Sequence, residues 1–156
     1  LHQDFQASLT LIKKEYALLK KIFKIKNNSD GLIEYTGPKK PKTILITMGS
    51  LAGTIKTVLA QYPNVGLIKI MTLRPFPEQE LIKATMPSSN IIILEKAVSP
   101  GSGGPLALEI KAALSGQKKN IKNYIVGLGG RNISEKEIRD IINKAEQKNK
   151  NLIFQK

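Results

Sequence analysis

The stretch T-I-L-I-T-M-G-S-L-A-G-T, at positions 43–54, decides the fold. Residues 43–48 form an apolar run of strand length that ends at Gly49-Ser50, and residues 53–61 have the composition of a helix. An apolar run without polar alternation is typical of a strand that is buried on both faces of a parallel sheet. The stretch therefore predicts a strand, a glycine turn and a helix that covers the strand.

The same unit recurs downstream of this stretch. Pro105 is a favourable first residue for a helix over residues 105–114. Ser134 and Glu137 form an S-x-x-E capping box for a helix over residues 135–147. Residues 152–154 are one more strand or an extended tail. The predicted strands are 65–71, 91–94 and 124–128, and the predicted helices are 78–85, 105–114 and 135–147.

Upstream, residues 32–35 form a short β-like run that is joined to position 43 by a linker with two prolines. This linker is too short for a helical crossover, so the two strands cannot be parallel neighbours. Strands that alternate with helices predict a mainly parallel sheet covered on both faces. The predicted fold is a three-layer α/β/α sandwich with one antiparallel edge strand.

The first segment, residues 2–24, shows helical periodicity. Its apolar residues recur at spacings of three and four and predict a single packing stripe, on this domain or on a neighbouring one. We divide the chain into a connecting amphipathic helix, 1–30, and an α/β domain, 31–156. Because the sequence starts with Leu1 rather than Met, we expect a fragment or a processed product. The stripe consists of Phe5, Leu9, Ile12, Tyr16, Leu19 and Phe23.

The composition excludes several kinds of chemistry. Cysteine is absent, which excludes disulfides, thiolate nucleophiles and ordinary iron–sulfur ligation. The single histidine, His2, leaves no basis for a Ser–His triad or a histidine metal site. No apolar stretch approaches the roughly 20 residues that span a bilayer. We therefore expect a function within a larger assembly, without redox, metal or membrane chemistry of the chain's own.

The net charge of +13 raises nucleic acid as a partner. However, lysine far outnumbers arginine, which occurs only at Arg74, Arg131 and Arg139, and no aromatic residues interleave with the lysine pairs. Arginine forks and aromatic stacking platforms are the usual recognition groups. Solvated surface lysine is the favoured interpretation. An acidic protein partner is the second, and nucleic acid is the least favoured.

Three glycine-containing loops follow predicted strands, at 49–53, 101–104 and 127–131. Such loops gather at the carboxyl ends of parallel strands, where helix N-termini can hold anions. Neither a G-x-G-x-x-G fingerprint nor a P-loop is complete. Structural turns are favoured, with contact to a small anion or cofactor and contact to a subunit as the alternatives.

Two charged residues at strand ends are candidates for chemistry. Glu95 has the position of an acid or base, but it has no histidine or second carboxylate nearby in sequence, so a structural hydrogen-bonding role is favoured. Arg74 precedes Pro-Phe-Pro and can either clamp a carboxylate or phosphate or bridge two loops, and bridging is favoured.

Taken in order, five motifs resemble one known domain. The motifs are I-T-M-G-S-L-A-G-T (46–54), G-L-I-K-I (66–70), L-R-P-F-P (73–77), L-E-K-A-V-S-P-G-S-G-G-P-L (94–106) and Y-I-V-G-L-G-G-R (124–131). Together they resemble the C-terminal domain of the alpha subunit of pyruvate:ferredoxin (flavodoxin) oxidoreductases and related 2-oxoacid:ferredoxin oxidoreductases. The resemblance runs from about residue 31 to 147, and the preceding helix is similar to the family's connecting helix.

The resemblance implies a transketolase C-terminal-like fold, an α/β/α sandwich whose mixed five-stranded sheet has an antiparallel first strand. It also implies an enzyme of the cytoplasm that decarboxylates pyruvate or a similar 2-oxoacid on thiamine diphosphate. Such an enzyme passes electrons through iron–sulfur clusters to ferredoxin or flavodoxin and releases acyl-CoA.

This sequence departs from a whole enzyme of that family. The Gly-Asp-Gly thiamine signature and the cysteine ligands are missing, so thiamine diphosphate, Mg²⁺ and the clusters are expected on other domains or subunits. We therefore expect no catalytic residue and no bound cofactor in this chain. The alternative is a stand-alone anion- or cofactor-binding module. The candidates for binding or interface contacts are Gly49, Ser50, Arg74, Glu95, Gly101, Ser102, Gly103, Gly104, Gly130 and Arg131.

Overall fold

A computed structural model describes residues 2–146 and 153–154 of the 156-residue chain. Five α-helices and six β-strands are present in this part, and a short 3₁₀ turn, Leu128–Gly130, follows the fifth strand. In chain order the elements are α1 (His2–Ile22), β1 (Ile33–Thr36), β2 (Thr43–Met48), α2 (Leu51–Leu59), β3 (Val65–Ile70), α3 (Glu78–Thr85), β4 (Asn90–Glu95), α4 (Pro105–Ala113), β5 (Asn120–Ile125), α5 (Glu135–Glu146) and β6 (Ile153–Phe154).

The strands form one sheet in the order β1-β3-β2-β4-β5-β6. Strands β2 to β5 are parallel, whereas β1 lies antiparallel against β3, with Tyr35 opposite Ile68. The prediction of one antiparallel edge strand, made from the length of the linker after it, is confirmed. The five predicted strands are present, and Ile153–Phe154 adds a two-residue strand at the other edge. Residue 152, which that prediction includes, lies outside the described residues.

The core has two layers, one on each face of the sheet. One layer packs α2 and α5 against the sheet and includes Leu45, Ile92 and Ile141. The other layer packs α3 and α4 against the opposite face and includes Ile44 and Ile93. Neighbouring strand residues thus face opposite layers and are all buried. Burial of each such side chain stabilises the fold by roughly 1.5–3 kcal/mol, which explains the unbroken apolar runs in the sequence.

The predicted stripe along α1 contacts this domain only through its middle, and contact of its ends with a neighbouring domain stays a prediction. Tyr16 packs at Gly31, where an added Cβ would lie 2.7 Å from the Tyr16 Cβ. In contrast, Phe5, Leu19 and Phe23 are 52%, 44% and 67% exposed. A helix of 21 residues is about 31 Å long, and α1 contacts the domain through its middle, so the two ends of the stripe extend beyond the surface that could bury them.

The start of β5 also differs from the prediction, because the strand begins at Asn120 rather than at position 124. Polar residues interrupt the apolar pattern over these four positions. The Lys122 side chain is buried and its Nζ donates to the Ala145 carbonyl at the C-terminal end of α5, at 2.7 Å. A lysine that caps a helix from inside the sheet has no signature in hydrophobic periodicity.

Candidate functional site

The carboxyl ends of β2, β3 and β4 surround a groove of about 410 Å³. The groove brings together four of the predicted contact residues, Gly49, Ser50, Arg74 and Glu95. Its wall is mainly apolar and includes residues that the sequence analysis missed, above all Met48, Leu73 and Leu108. Met48 and Leu108 are 39% and 46% exposed, so the groove is an apolar contact surface rather than a closed pocket.

Glu95 ends β4 and is 4% exposed. Its carboxylate accepts hydrogen bonds from the backbone N–H groups of Leu106 (2.8 Å) and Ala107 (3.2 Å) and from Asn123 Nδ2 (2.7 Å). The two backbone donors belong to the first turn of α4, which is the positive end of that helix. Glu95 therefore has the structural hydrogen-bonding role that the sequence favoured, because it caps α4 from the neighbouring strand.

Gly104 makes this cap possible. A Cβ at Gly104 would overlap Glu95 Oε1, so a residue with a side chain would displace the carboxylate. Ser99 and Gly103 exchange backbone hydrogen bonds of 2.7 and 3.0 Å, and the turn they close carries Gly101 and Ser102, both exposed. The glycine loop thus leads the chain back to α4. The anion at this helix N-terminus is the protein's own Glu95.

Asn123 is a further residue that the sequence analysis missed. It is 3% exposed, and while its Nδ2 donates to Glu95, its Oδ1 has no hydrogen-bond partner in the described part of the chain. A buried unsatisfied oxygen costs about 1–3 kcal/mol. Asn123 of β5 pairs in register with Ile93, but the predicted strand began at position 124, so hydrophobic periodicity gave no signal for it.

Arg74 bridges two elements at the rim of the groove. Its Nη2 lies 2.6 Å from Glu109 Oε1 on α4, and its Nη1 donates to the Leu73 carbonyl at 2.9 Å. The guanidinium therefore ties the loop after β3 to α4, as the bridging interpretation predicted. The pair is partly exposed, and such pairs contribute at most about 1 kcal/mol.

The remaining candidates, Gly130 and Arg131, lie outside this groove, in the loop that follows the carboxyl end of β5. Arg131 lines a second cavity, of about 530 Å³, together with Gly127 and Glu137, and Gly130 lies in the exposed turn beside it. The predicted capping box is confirmed here. Glu137 accepts hydrogen bonds from the Ser134 backbone N–H and hydroxyl, each 2.7 Å long, and these bonds lower the pKa of Glu137. The three glycine loops therefore do not converge on one ligand site.

The donor groups of the chain do not fit the cofactors of the resembling family. The sequence has no cysteine for an iron–sulfur cluster. Over residues 2–146 and 153–154, no three histidine, cysteine, aspartate or glutamate side chains lie close enough together to hold a metal ion such as Mg²⁺. Over the same residues, no helix has the length and hydropathy required to cross a membrane.

The fold defines a class of domain that also occurs in two solved enzymes. A 2-oxoglutarate:ferredoxin oxidoreductase from Magnetococcus marinus, solved with 2-oxoglutarate, coenzyme A and succinyl-CoA bound, superimposes with a TM-score of 0.59 at 20% identity. The match covers 90% of this chain and 23% of that chain. An inactive tetramer of a split-gene transketolase matches with a TM-score of 0.50 at 14% identity, over 72% of this chain and 41% of that one. These likenesses show that the α/β fold of this chain is shared with a 2-oxoglutarate:ferredoxin oxidoreductase and a transketolase, as the resemblance implied.

Sequence comparison gives the family. The chain belongs to the pyruvate:ferredoxin oxidoreductase core domain II family, whose model matches residues 42–138. It is 39% identical over 123 residues to the pyruvate synthase subunit PorA of Methanocaldococcus jannaschii, covering 76% of this chain and 31% of that protein. It is 38% identical over 104 residues to the ketoisovalerate oxidoreductase subunit VorA of Pyrococcus furiosus, covering 63% and 26%. The chain thus spans about a third or less of the length of these relatives.

Proposed function

We propose that this chain is the non-catalytic assembly domain of the alpha subunit of a 2-oxoacid:ferredoxin oxidoreductase. Residues 1–30 are its connecting helix and residues 31–156 its globular unit. The whole enzyme, in the cytoplasm, oxidises a 2-oxoacid with coenzyme A to acyl-CoA and CO₂ and reduces ferredoxin or flavodoxin. Thiamine diphosphate, Mg²⁺ and the iron–sulfur clusters are held by its other domains or subunits, because the donor groups of this chain do not fit them.

Pyruvate is the proposed substrate, in line with the PorA relative. However, a relative named for ketoisovalerate is almost equally similar, at 38% against 39% identity. The near-equal similarity to relatives named for different 2-oxoacids supports the proposal that substrate selection belongs to other domains. We accordingly assign the groove at the carboxyl ends of β2, β3 and β4 to contacts with neighbouring domains.

The observation that carries this proposal is a second apolar stripe on α1. Leu11, Leu18 and Ile22 are 56%, 51% and 61% exposed. Their spacings of seven and four place them on one side of the helix, and this side differs from the one on which Ile12 and Tyr16 face the domain. Apolar stripes on two sides of α1 indicate that the helix packs between this domain and a second one.

The proposed occupant of this second stripe is the part of the alpha subunit that the relatives possess outside the matched region, about two thirds of their length. Burial of each of the three side chains would contribute roughly 1.5–3 kcal/mol to the contact. The stripe runs from the middle of the helix to its C-terminal end, the end that leads into the globular domain.

Calorimetric titration of the purified chain with thiamine diphosphate and Mg²⁺ tests the non-catalytic assignment. We expect no binding heat, because the described residues provide no carboxylate set for the metal and diphosphate. Binding with a micromolar dissociation constant would refute it. The alternative of a stand-alone anion module receives no support from the geometry, since Glu95 occupies the N-terminus of α4 and Arg131 lines a different cavity.

A further inference from the structure

The opposite edge of the sheet, where the parallel strands begin, has an unusual charge distribution. We call this surface the amino edge and define it by the loops 37–42, 60–64, 86–89 and 114–119, which precede β2, β3, β4 and β5. The four loops contain five lysines and no aspartate or glutamate. The lysines are Lys39, Lys40, Lys42, Lys118 and Lys119.

Hydrogen bonds join these loops into one continuous surface. The Lys42 N–H donates to the Asn64 carbonyl at 2.8 Å, and the Ser88 hydroxyl donates to the Lys42 carbonyl at 2.8 Å. Lys119 Nζ then donates to the Ser88 carbonyl at 2.6 Å. The lysines are therefore held on a connected framework, although they come from separate parts of the sequence.

One of the five lysines has a structural role. Lys119 Nζ also donates to the Thr85 carbonyl at 2.8 Å, so it caps the C-terminal end of α3, and burial lowers its pKa. The other four side chains, those of Lys39, Lys40, Lys42 and Lys118, are exposed. No carboxylate lies within ion-pair distance of their ammonium groups in the part of the chain that the structure describes.

Helix dipoles do not cancel this charge. The C-terminal ends of α2, α3, α4 and α5 also point to the amino edge, and each carries roughly half a negative charge, about −2 in total. Five lysines outweigh that sum. Ion pairs do occur elsewhere in the described part of the chain, as between Lys56 and Glu34 and between Arg74 and Glu109, each at 2.6 Å.

We infer that the amino edge is an interaction surface for a protein partner that presents a carboxylate-rich patch. The charge complementarity carries the choice of partner, because compact ammonium groups pair with single carboxylates at low geometric cost. Nucleic acid is a less suitable partner for the amino edge. The four loops contain no arginine, and their aromatic residue is Tyr62. The Tyr62 side chain packs against the core, and its hydroxyl donates to Asn143 Oδ1 at 3.3 Å. These loops therefore offer no aromatic platform on which a base could stack. This inference is independent of the enzyme family.

The test uses poly-L-glutamate of fixed length as the probe and measures its dissociation constant by fluorescence anisotropy at about 50 mM salt. The edge variant carries Lys39→Gln, Lys40→Gln, Lys42→Gln and Lys118→Gln. The matched control carries Lys14→Gln, Lys21→Gln, Lys96→Gln and Lys136→Gln, which removes four exposed lysines outside the amino edge. We expect the edge variant to bind at least about tenfold more weakly than wild type, and the control less than about threefold.

Equal weakening in the two variants would overturn the inference, because binding would then follow net charge alone. If an oligonucleotide of equal charge binds more tightly than the peptide through the same four lysines, the partner class is wrong. NMR amide-shift mapping of the wild-type chain with the peptide is a second measurement that requires no variant to fold. Shifts confined to the four loops support the inference, and shifts spread over the whole surface contradict it.

Discussion

At the carboxyl end of β4, a single buried carboxylate connects a strand, a helix and a glycine loop. Glu95 accepts two backbone hydrogen bonds from α4, and Gly104 provides the space in which the carboxylate lies. Hydrogen bonds to charged groups contribute about 1.5–3 kcal/mol each. The glycine at this position is thus required for packing, and the other glycines of the loop form its turn.

The substitution Gly104→Ala tests this pairing. We expect it to lower the free energy of unfolding by about 3 kcal/mol or more, because the added methyl group forces Glu95 off the helix N-terminus. The control is Gly53→Ala in α2, where no atom lies within 4 Å of the added Cβ. There we expect no loss, and a gain of up to about 0.5 kcal/mol. Similar urea midpoints for the two variants would show that Glu95 does not need this glycine.

At the scale of the helices and strands, some boundaries were predictable from local patterns and others were not. The span of α3 and the capping box of α5 depend on residues close in sequence, and both were predicted correctly. In contrast, β5 starts where Asn120 pairs with Asn90 of β4, and its Lys122 side chain caps α5 at Ala145. That contact exists only in the folded chain, so periodicity gave no sign of it.

The capping box predicts a pH dependence of stability. Hydrogen bonds from Ser134 hold the pKa of Glu137 below its ordinary value of 4.5. A lowered pKa in the folded state stabilises the protein above pH 4.5, and this contribution is lost as the pH falls through the folded pKa. Comparison of wild type with Glu137→Gln by urea unfolding should show a deficit of up to about 1 kcal/mol at neutral pH. The deficit should shrink as the pH falls below 4.5 and disappear once the pH lies below the folded pKa of Glu137.

A Ser134→Ala variant provides the control for this prediction. Without the serine hydroxyl, the pKa of Glu137 should rise toward its ordinary value, and the loss of stability that Glu137→Gln causes should become smaller in this background. A deficit of Glu137→Gln that stays constant from neutral pH to about pH 3 would show that the carboxylate contributes nothing through its charge.

At the scale of the whole molecule, the fold and family followed from the sequence, whereas the contact surfaces did not. Five motifs gave the family, and linker length gave the antiparallel edge. The sequence analysis placed the apolar residues of α1 on one stripe, but the helix has two. Periodicity reports which residues share a side of a helix. It does not report which side lies against the domain, because that depends on the position of the helix in the fold.

Substitutions on the two sides of α1 should have different effects on the stability of this chain. The substitutions Leu11→Ser, Leu18→Ser and Ile22→Ser together should change the stability of this chain by less than about 0.5 kcal/mol per site, because all three side chains are exposed. Ile12→Ser should lower the free energy of unfolding by more than about 1 kcal/mol, because Ile12 packs beside Gly31. Urea unfolding measures both. A large loss in the triple variant would place its stripe against this domain instead.

The decisive measurement is pyruvate-dependent reduction of ferredoxin by a chimeric enzyme. In this chimera, the present chain replaces the corresponding domain of a related pyruvate synthase alpha subunit, and the chain alone is assayed beside it. We predict activity in the assembled chimera, loss of assembly when the Leu11, Leu18 and Ile22 substitutions are introduced, and no activity in the chain alone. Ferredoxin reduction by the chain alone, or an assembled chimera without activity, would contradict the proposed role.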